Sequence, residues 1–161
     1  MKNRNLDHSD NWSTPIEFYE KLNKEFNFDF DPCPIYEGEI TPENDGLLID
    51  WKNRNYINPP YSQKLKEAFI RKAVEESEKE KLCVMLIPVS TSTIIFHEVV
   101  QPKAKEIRFI RGRIPFIGVN GKGEYVNWHS EGIQKRVAPE GVVHVKNSGM
   151  HDSMIVVFDG R

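Results

Sequence analysis

The chain has 161 residues, 39% of them hydrophobic and 11% aromatic, the size of one domain with its own buried core. No apolar run approaches the ~20 residues of a membrane span, and the polar start Met1-Lys2-Asn3-Arg4-Asn5-Leu6-Asp7 has no apolar stretch or cleavage site of a secretory signal, so a soluble cytoplasmic protein is expected. Cys33 and Cys83 stand in no CxxC or Cys/His spacing, which disfavours a disulfide framework and a zinc site, and the net charge of −2 by itself favours no polyanionic partner.

In chain order, Thr14 is positioned to cap a helix, with Pro15 at its first turn and Glu17 three residues after the cap. Ile16, Tyr19, Leu22 and Phe26 then mark one apolar face. Asn27 to Asp31 alternates and ends at Pro32-Cys33-Pro34, the pattern of a short strand entering a loop. A second strand is expected at Asn55-Tyr56-Ile57, a helix over 63–79, and a strand at Leu82 to Ile87, whose unbroken apolar character suits a strand covered on both faces. A short helix at 91–100, a strand at 106–110, a hairpin from Ile114 to Val126 broken at Asn120-Gly121, an irregular 127–150 and a closing strand from Ser153 to Phe158 complete the reading. Alternating strands and helices predict an α/β fold with a mostly parallel sheet, flanking helices and an added hairpin.

Asn58-Pro59-Pro60-Tyr61 follows the second strand directly, and open α/β sheets bind ligands at the carboxyl ends of their strands. The two prolines hold the loop extended and leave its carbonyls unspent on helix hydrogen bonds. Such a loop can hold a planar amine: Asn58 Oδ1 and the Pro59 carbonyl accept its two N–H groups, and Tyr61 stacks on the attached ring. Drawing on both N–H groups pushes the nitrogen toward tetrahedral geometry and restores its lone pair as a nucleophile. The alternative is a proline-rich turn without chemistry.

Charge is unevenly placed. Residues 1–50 carry 4 Lys/Arg against 12 Asp/Glu, residues 51–113 carry 13 against 7, and residues 114–161 carry 5 against 5. A basic middle third can present a local face to phosphates even in a nearly neutral protein, and solvated helix charges explain the count equally well.

Together with Trp12-Ser13-Thr14-Pro15, Phe28-Asp29-Phe30-Asp31-Pro32-Cys33, Asp45-Gly46-Leu47 with Trp51, Arg111-Gly112-Arg113-Ile114-Pro115-Phe116 and Ser153, this motif resembles the S-adenosylmethionine-dependent amino-methyltransferases, whose motif is (Asp/Asn/Ser)-Pro-Pro-(Tyr/Phe/Trp). The order of these features along most of the chain is most similar to the phage-type DNA N6-adenine methyltransferase (Dam) family. The resemblance implies a reduced Rossmann-like fold, S-adenosyl-L-methionine as methyl donor, DNA as substrate, no metal, and a phage or prophage source. It places Asp31, Pro32 and Cys33 at the methionine part of the cofactor, Thr14 and Pro15 in a motif closing over that end with Trp12 as apolar cover, and Asp45 at the cofactor's adenine amine. Glu37 and Glu39 are candidates for the ribose.

The chain departs from the usual pattern in having no Gly-x-Gly after Asp31 and only 26 residues between Asp31 and Asn58. Either the sheet lacks strands there or residues 35–50 form a compact loop. Arg111, Arg113 and Phe116 combine two phosphate-seeking forks with a ring, a set suited to a base flipped out of a duplex. As ordinary alternatives, Phe116 is core and the arginines face solvent. Residues 114–150 are then the candidate target-reading region, with Lys122, Trp128, His129, Lys135, Arg136 and Lys146. The same motif chemistry also fits cytosine N4, an RNA adenine or a protein glutamine, and a non-catalytic DNA-binding relative is the rival from another class.

Overall fold

The structure is a computed structural model describing residues 12–34, 40–119, 125–129, 143–146 and 151–161, with backbone pairing alone for 117–119, 125–129 and 143–146. Its centre is a four-stranded sheet in the order β1-β2-β7-β3, formed by β1 (Arg54–Ile57), β2 (Leu82–Pro88), β3 (Glu106–Phe109) and β7 (Ser153–Asp159). Only β1 and β2 pair in parallel; β7 is antiparallel to both β2 and β3. The expectation of a mostly parallel sheet is therefore corrected: most hydrogen-bonded pairs are antiparallel. The cause is placement. β1, β2 and β3 run in one direction, but the closing strand runs against them and is inserted in the middle, so it converts two neighbour pairs at once.

Side chains alternate across the sheet as a period of two requires. Cys83, Met85 and Ile87 of β2 and Met154, Val156 and Phe158 of β7 enter one apolar cluster, while Leu82, Val84 and Leu86 with Ile155 and Val157 enter the other. The first cluster is closed by α2 (Gln63–Ser77), through Phe69, Ile70, Ala73 and Val74, and by a π-helical turn at Phe96–Val100 leading into a helical turn at Gln101–Lys103. The second is closed by α1 (Ile16–Phe26) through Leu22 and the half-buried Phe18, Tyr19 and Phe26. Helices thus cover both faces, which is why β2 is buried at every position.

Several boundaries differ from the sequence reading. The strand expected at Asn27 to Asp31 is a single parallel bridge, Phe30 with Asn55. The helix expected at 91–100 begins later, because Ser90 to Thr93 forms a turn in which the Thr93 hydroxyl donates to the Ser90 carbonyl and accepts the Phe96 N–H. Thr14 does not cap α1. Pro15 occupies the N-cap without a side-chain bond, since the Thr14 hydroxyl is engaged by Tyr56. The hairpin stands as β4 (Ile117–Val119) antiparallel to β5 (Tyr125–His129), with β6 (Val143–Lys146) parallel to β5.

A buried charge ties the sheet to its loops. Glu76 of α2 is inaccessible to solvent, and Lys72 and Lys81 reach it at 2.8 and 2.5 Å, with Lys79 at 3.2 Å. Lys81 also donates to the Trp51 carbonyl. Burial alone would raise the Glu76 carboxyl, but the hydrogen bonds from Lys72, Lys81 and Lys79 prevail and hold it at about 2. This stabilisation is complete above the ordinary glutamate value of 4.5 and is lost as pH falls toward 2. Urea midpoints of the wild type should therefore fall more steeply than those of Glu76→Gln as the pH drops from about 5 to about 2. Parallel slopes for the two proteins would remove Glu76 from the acid response.

Candidate active site

The bridge between Phe30 and Asn55 is parallel, and the Tyr56 N–H donates to the Phe30 carbonyl at 2.9 Å. Chain leaving Phe30 and chain leaving β1 therefore emerge side by side at the same end of the sheet. Asp31 to Cys33 and Asn58 to Tyr61 become neighbours across this end. Among the described residues no strand lies between Phe30 and β1, and within the short spacing from Asp31 to Asn58 residues 41–49 form compact turns.

A cleft of about 220 Å³ opens at this end on the α1 side, lined by Trp12, Thr14, Tyr19, Asp31, Cys33, Tyr56, Asn58 and Pro60, with Ser13, Ile16 and Pro34. Asn58 stands at its rim. Its Nδ2 donates to the Trp12 main-chain carbonyl, its own main-chain carbonyl accepts from the Cys33 thiol at 3.3 Å, and its Oδ1 is buried without a hydrogen-bond partner. A buried acceptor without a partner costs ~1–3 kcal/mol; among the described residues Asn55 Oδ1, inside the core, is in the same condition, and of the two residues Asn58 alone lines the cleft.

Asp31 accepts the Cys33 N–H at 2.9 Å, and no cation pairs with it among the described residues. Burial in the cleft raises its carboxyl to about 6, against the lowering effect of the Cys33 backbone bond. An acid held this way suits a cationic ligand. Tyr56 forms the floor, 2% exposed, with its hydroxyl on Thr14 and its ring edge-on to Tyr19 at 5.0 Å. Burial pushes the hydroxyls of Tyr56 and Tyr61 well above the ordinary tyrosine value, so both stay neutral. Tyr56 was not singled out from sequence, although strand alternation places it on the same side as Asn58, two residues on.

The remaining candidates divide. Tyr61 lies among three rings, Trp12 at 6.3 Å, Phe116 at 5.8 Å and His151 at 5.9 Å. Phe116 is brought to the site, but as a buried member of the α1-side cluster. Arg111 is exposed, and Arg113 is exposed and pairs with Asp152 at 3.4 Å; between them Gly112 has a φ of 76°, a turn that favours glycine. Asp45 is buried, accepts the Leu47 N–H and does not line the cleft. Pro32 is buried beneath the same turn. Glu37, Glu39, Lys122, Lys135 and Arg136 lie outside the described residues, as do the side chains of Trp128, His129 and Lys146. No cluster of three or more His, Cys, Asp or Glu side chains suited to a metal occurs among the described residues, and no described helix is long and apolar enough to cross a membrane.

The fold and the cleft define a mixed α/β protein with a cleft at its strand ends that Asn58 and Pro60 of the Asn-Pro-Pro-Tyr segment help to line. The profile of the family described as DNA N-6-adenine-methyltransferase (Dam) matches residues 2–134, and the chain belongs to that family. It is 31% identical over 106 residues to the DNA N-6-adenine-methyltransferase of Escherichia phage T1; the match covers 61% of this chain and 44% of that protein, so the chain spans less than half of that relative's length. No solved structure matches the chain.

The turn at Asp45 is held against Pro32 by a close approach. A Cβ on Gly46 would lie 1.9 Å from the Pro32 carbonyl oxygen, while the Gly46 carbonyl accepts from Trp51 Nε1 at 2.7 Å. Gly46→Ala must push this turn off Pro32 at a cost of ~1–3 kcal/mol. The melting temperature should fall by about 5 °C, measured by calorimetry; an unchanged melting temperature would show that the two segments part freely.

Proposed function

We propose that the protein transfers a methyl group from S-adenosylmethionine to N6 of an adenine flipped out of DNA. The observation that carries this reading is the buried, unpartnered Oδ1 of Asn58, a residue lining a cleft that also holds a carboxyl with no cation on it among the described residues. Family membership and the phage relative support it. The direction shared by β1, β2 and β3, with one reversed strand, supports a reduced Rossmann-like sheet.

The residues present fit the cofactor's chemistry. S-adenosylmethionine, when bound, supplies an electrophilic methyl group on a cationic sulfonium. Asp31 faces the cationic end, Thr14 and Cys33 shape the wall around it with Pro15 behind Thr14 in the chain, and Trp12 covers it. Asn58 Oδ1 and the Pro59 carbonyl accept the two N–H groups of the adenine amine and turn its lone pair into the cleft, with Tyr61 against the base plane. Neither acceptor is a base, so the proton released after transfer leaves to solvent. Arg111 and Arg113 serve the phosphates beside the flipped base, Phe116 fixes Tyr61 from behind, and 114–150 read the target. The whole forms one catalytic domain working in the cytoplasm of a bacterial host.

Two measurements test the assignment. With methyl-labelled S-adenosylmethionine and unmethylated DNA, digestion should place the label in N6-methyldeoxyadenosine. Label in cytosine, RNA or protein would reassign the substrate, and none anywhere would end the enzyme reading. Asn58→Ala should lower turnover on the order of 10²-fold or more while cofactor affinity changes less than about threefold; matched losses would contradict its contact with the amine.

The Asp31 carboxyl provides a pH test. Raised to about 6, it is neutral below that value and anionic above it, so affinity for the cationic cofactor should strengthen as pH rises through 6 and level off beyond. Calorimetric titration of Asp31→Asn should lose this rise. A wild-type affinity that is flat across the interval would show that Asp31 does not face the cation.

A further inference from the structure

A carboxamide has two ends of nearly equal size and opposite character, an acceptor oxygen and a donor nitrogen. If the Asn58 amide turned over, it would set N–H groups against the N–H groups of the target amine. Its orientation therefore decides whether the site can hold an amine at all. In this structure the amide is oriented from one side: Nδ2 faces the main-chain carbonyl of Trp12, which can only accept, and this leaves Oδ1 buried and open.

We propose that the main-chain carbonyl of Trp12 is a positioning group for the target amine, selecting the Asn58 amide orientation that presents Oδ1. This rests on the methyl-transfer reading for its substrate, but the orientation itself is carried by the Trp12 contact. The carbonyl is held in place by its neighbours. The Thr14 hydroxyl is fixed on the buried Tyr56 hydroxyl, and the Trp12 ring packs against Tyr61 at 6.3 Å. The Cys33 thiol in turn holds the Asn58 main chain. Trp12, Ser13 and Thr14 also line the cleft with Asp31, so the segment that encloses the cofactor end is the one that aims the acceptor. Cofactor seating and amine recognition then depend on one piece of backbone.

The discriminating variant is Asn58→Asp, nearly identical in shape. A carboxylate has no proton to give the Trp12 carbonyl and sets oxygen against oxygen, whereas a protonated carboxyl donates O–H to Trp12 and keeps its second oxygen for the amine. Turnover of the variant relative to wild type, at saturating S-adenosylmethionine and DNA, should therefore rise as pH falls, by about tenfold per pH unit while the introduced carboxyl is ionised. The titratable groups around Asn58 are Asp31, Cys33, Tyr19 and Tyr56 in the cleft, and Tyr61 and His151 beside it. All are common to both proteins, so the ratio divides out their shared background. A ratio independent of pH, whether the variant is active or dead, overturns the proposal.

A second readout needs no turnover. The Asn58 side-chain amide signals, assigned by their loss in Asn58→Asp, should show one N–H exchanging with solvent at least about tenfold more slowly than a free amide. Free-amide exchange for both protons overturns the orientation. If wild type methylates nothing, the methyl-transfer reading fails while this exchange measurement still judges the Trp12 contact.

Discussion

The parallel register that sets Phe30 beside Asn55, and Asn55 beside Cys83, is the constraint on which the site depends. Parallel neighbours deliver their outgoing chains to one edge, so an acid from one strand end and an amide from the next share a cleft without long loops. With no strand between Phe30 and β1 among the described residues, the cleft is compact. One of its walls is made by Trp12 to Thr14, the segment preceding α1.

The two faces of the sheet carry different duties. The α2 face is closed by apolar packing and anchored by Glu76 with its lysines. The α1 face is closed near its middle by Leu22, Tyr19 and Phe26 but opens at the strand ends, where polar atoms replace apolar ones. The buried charge lies on the face away from the cleft, where packing and ion pairs supply stability that the unpartnered Asn58 acceptor costs.

Much of this arrangement was legible from residue patterns, for local reasons. The unbroken apolar run at Leu82 to Ile87 suits a strand covered twice, and the helix expected over 63–79 contains α2. Asn58-Pro59-Pro60-Tyr61 was readable because prolines limit the conformations available to it. What escaped was non-local. Nothing near Ser153 to Phe158 tells that this strand is inserted between β2 and β3 rather than added outside, which is why the residue pattern alone points to mostly parallel pairing. Thr14 reads as a helix cap by its neighbours, yet its partner is Tyr56, 42 residues away. Trp12 was noticed for its ring, whereas its main-chain carbonyl makes the contact with Asn58, and a backbone atom leaves no mark in residue type.

The central place of β7 also shapes how the protein comes into being. During synthesis β2 and β3 are complete long before Ser153 to Asp159 emerges, and each then has an unpaired edge flanked by apolar surface. Non-local pairing of this kind is slow, since chain closure precedes its reward. Until the last strand threads between them, the two edges are templates for pairing with other chains. The protein therefore reaches its folded sheet only after β7 has emerged, and a nascent chain stalled before β7 is the form most exposed to aggregation and to chaperone capture.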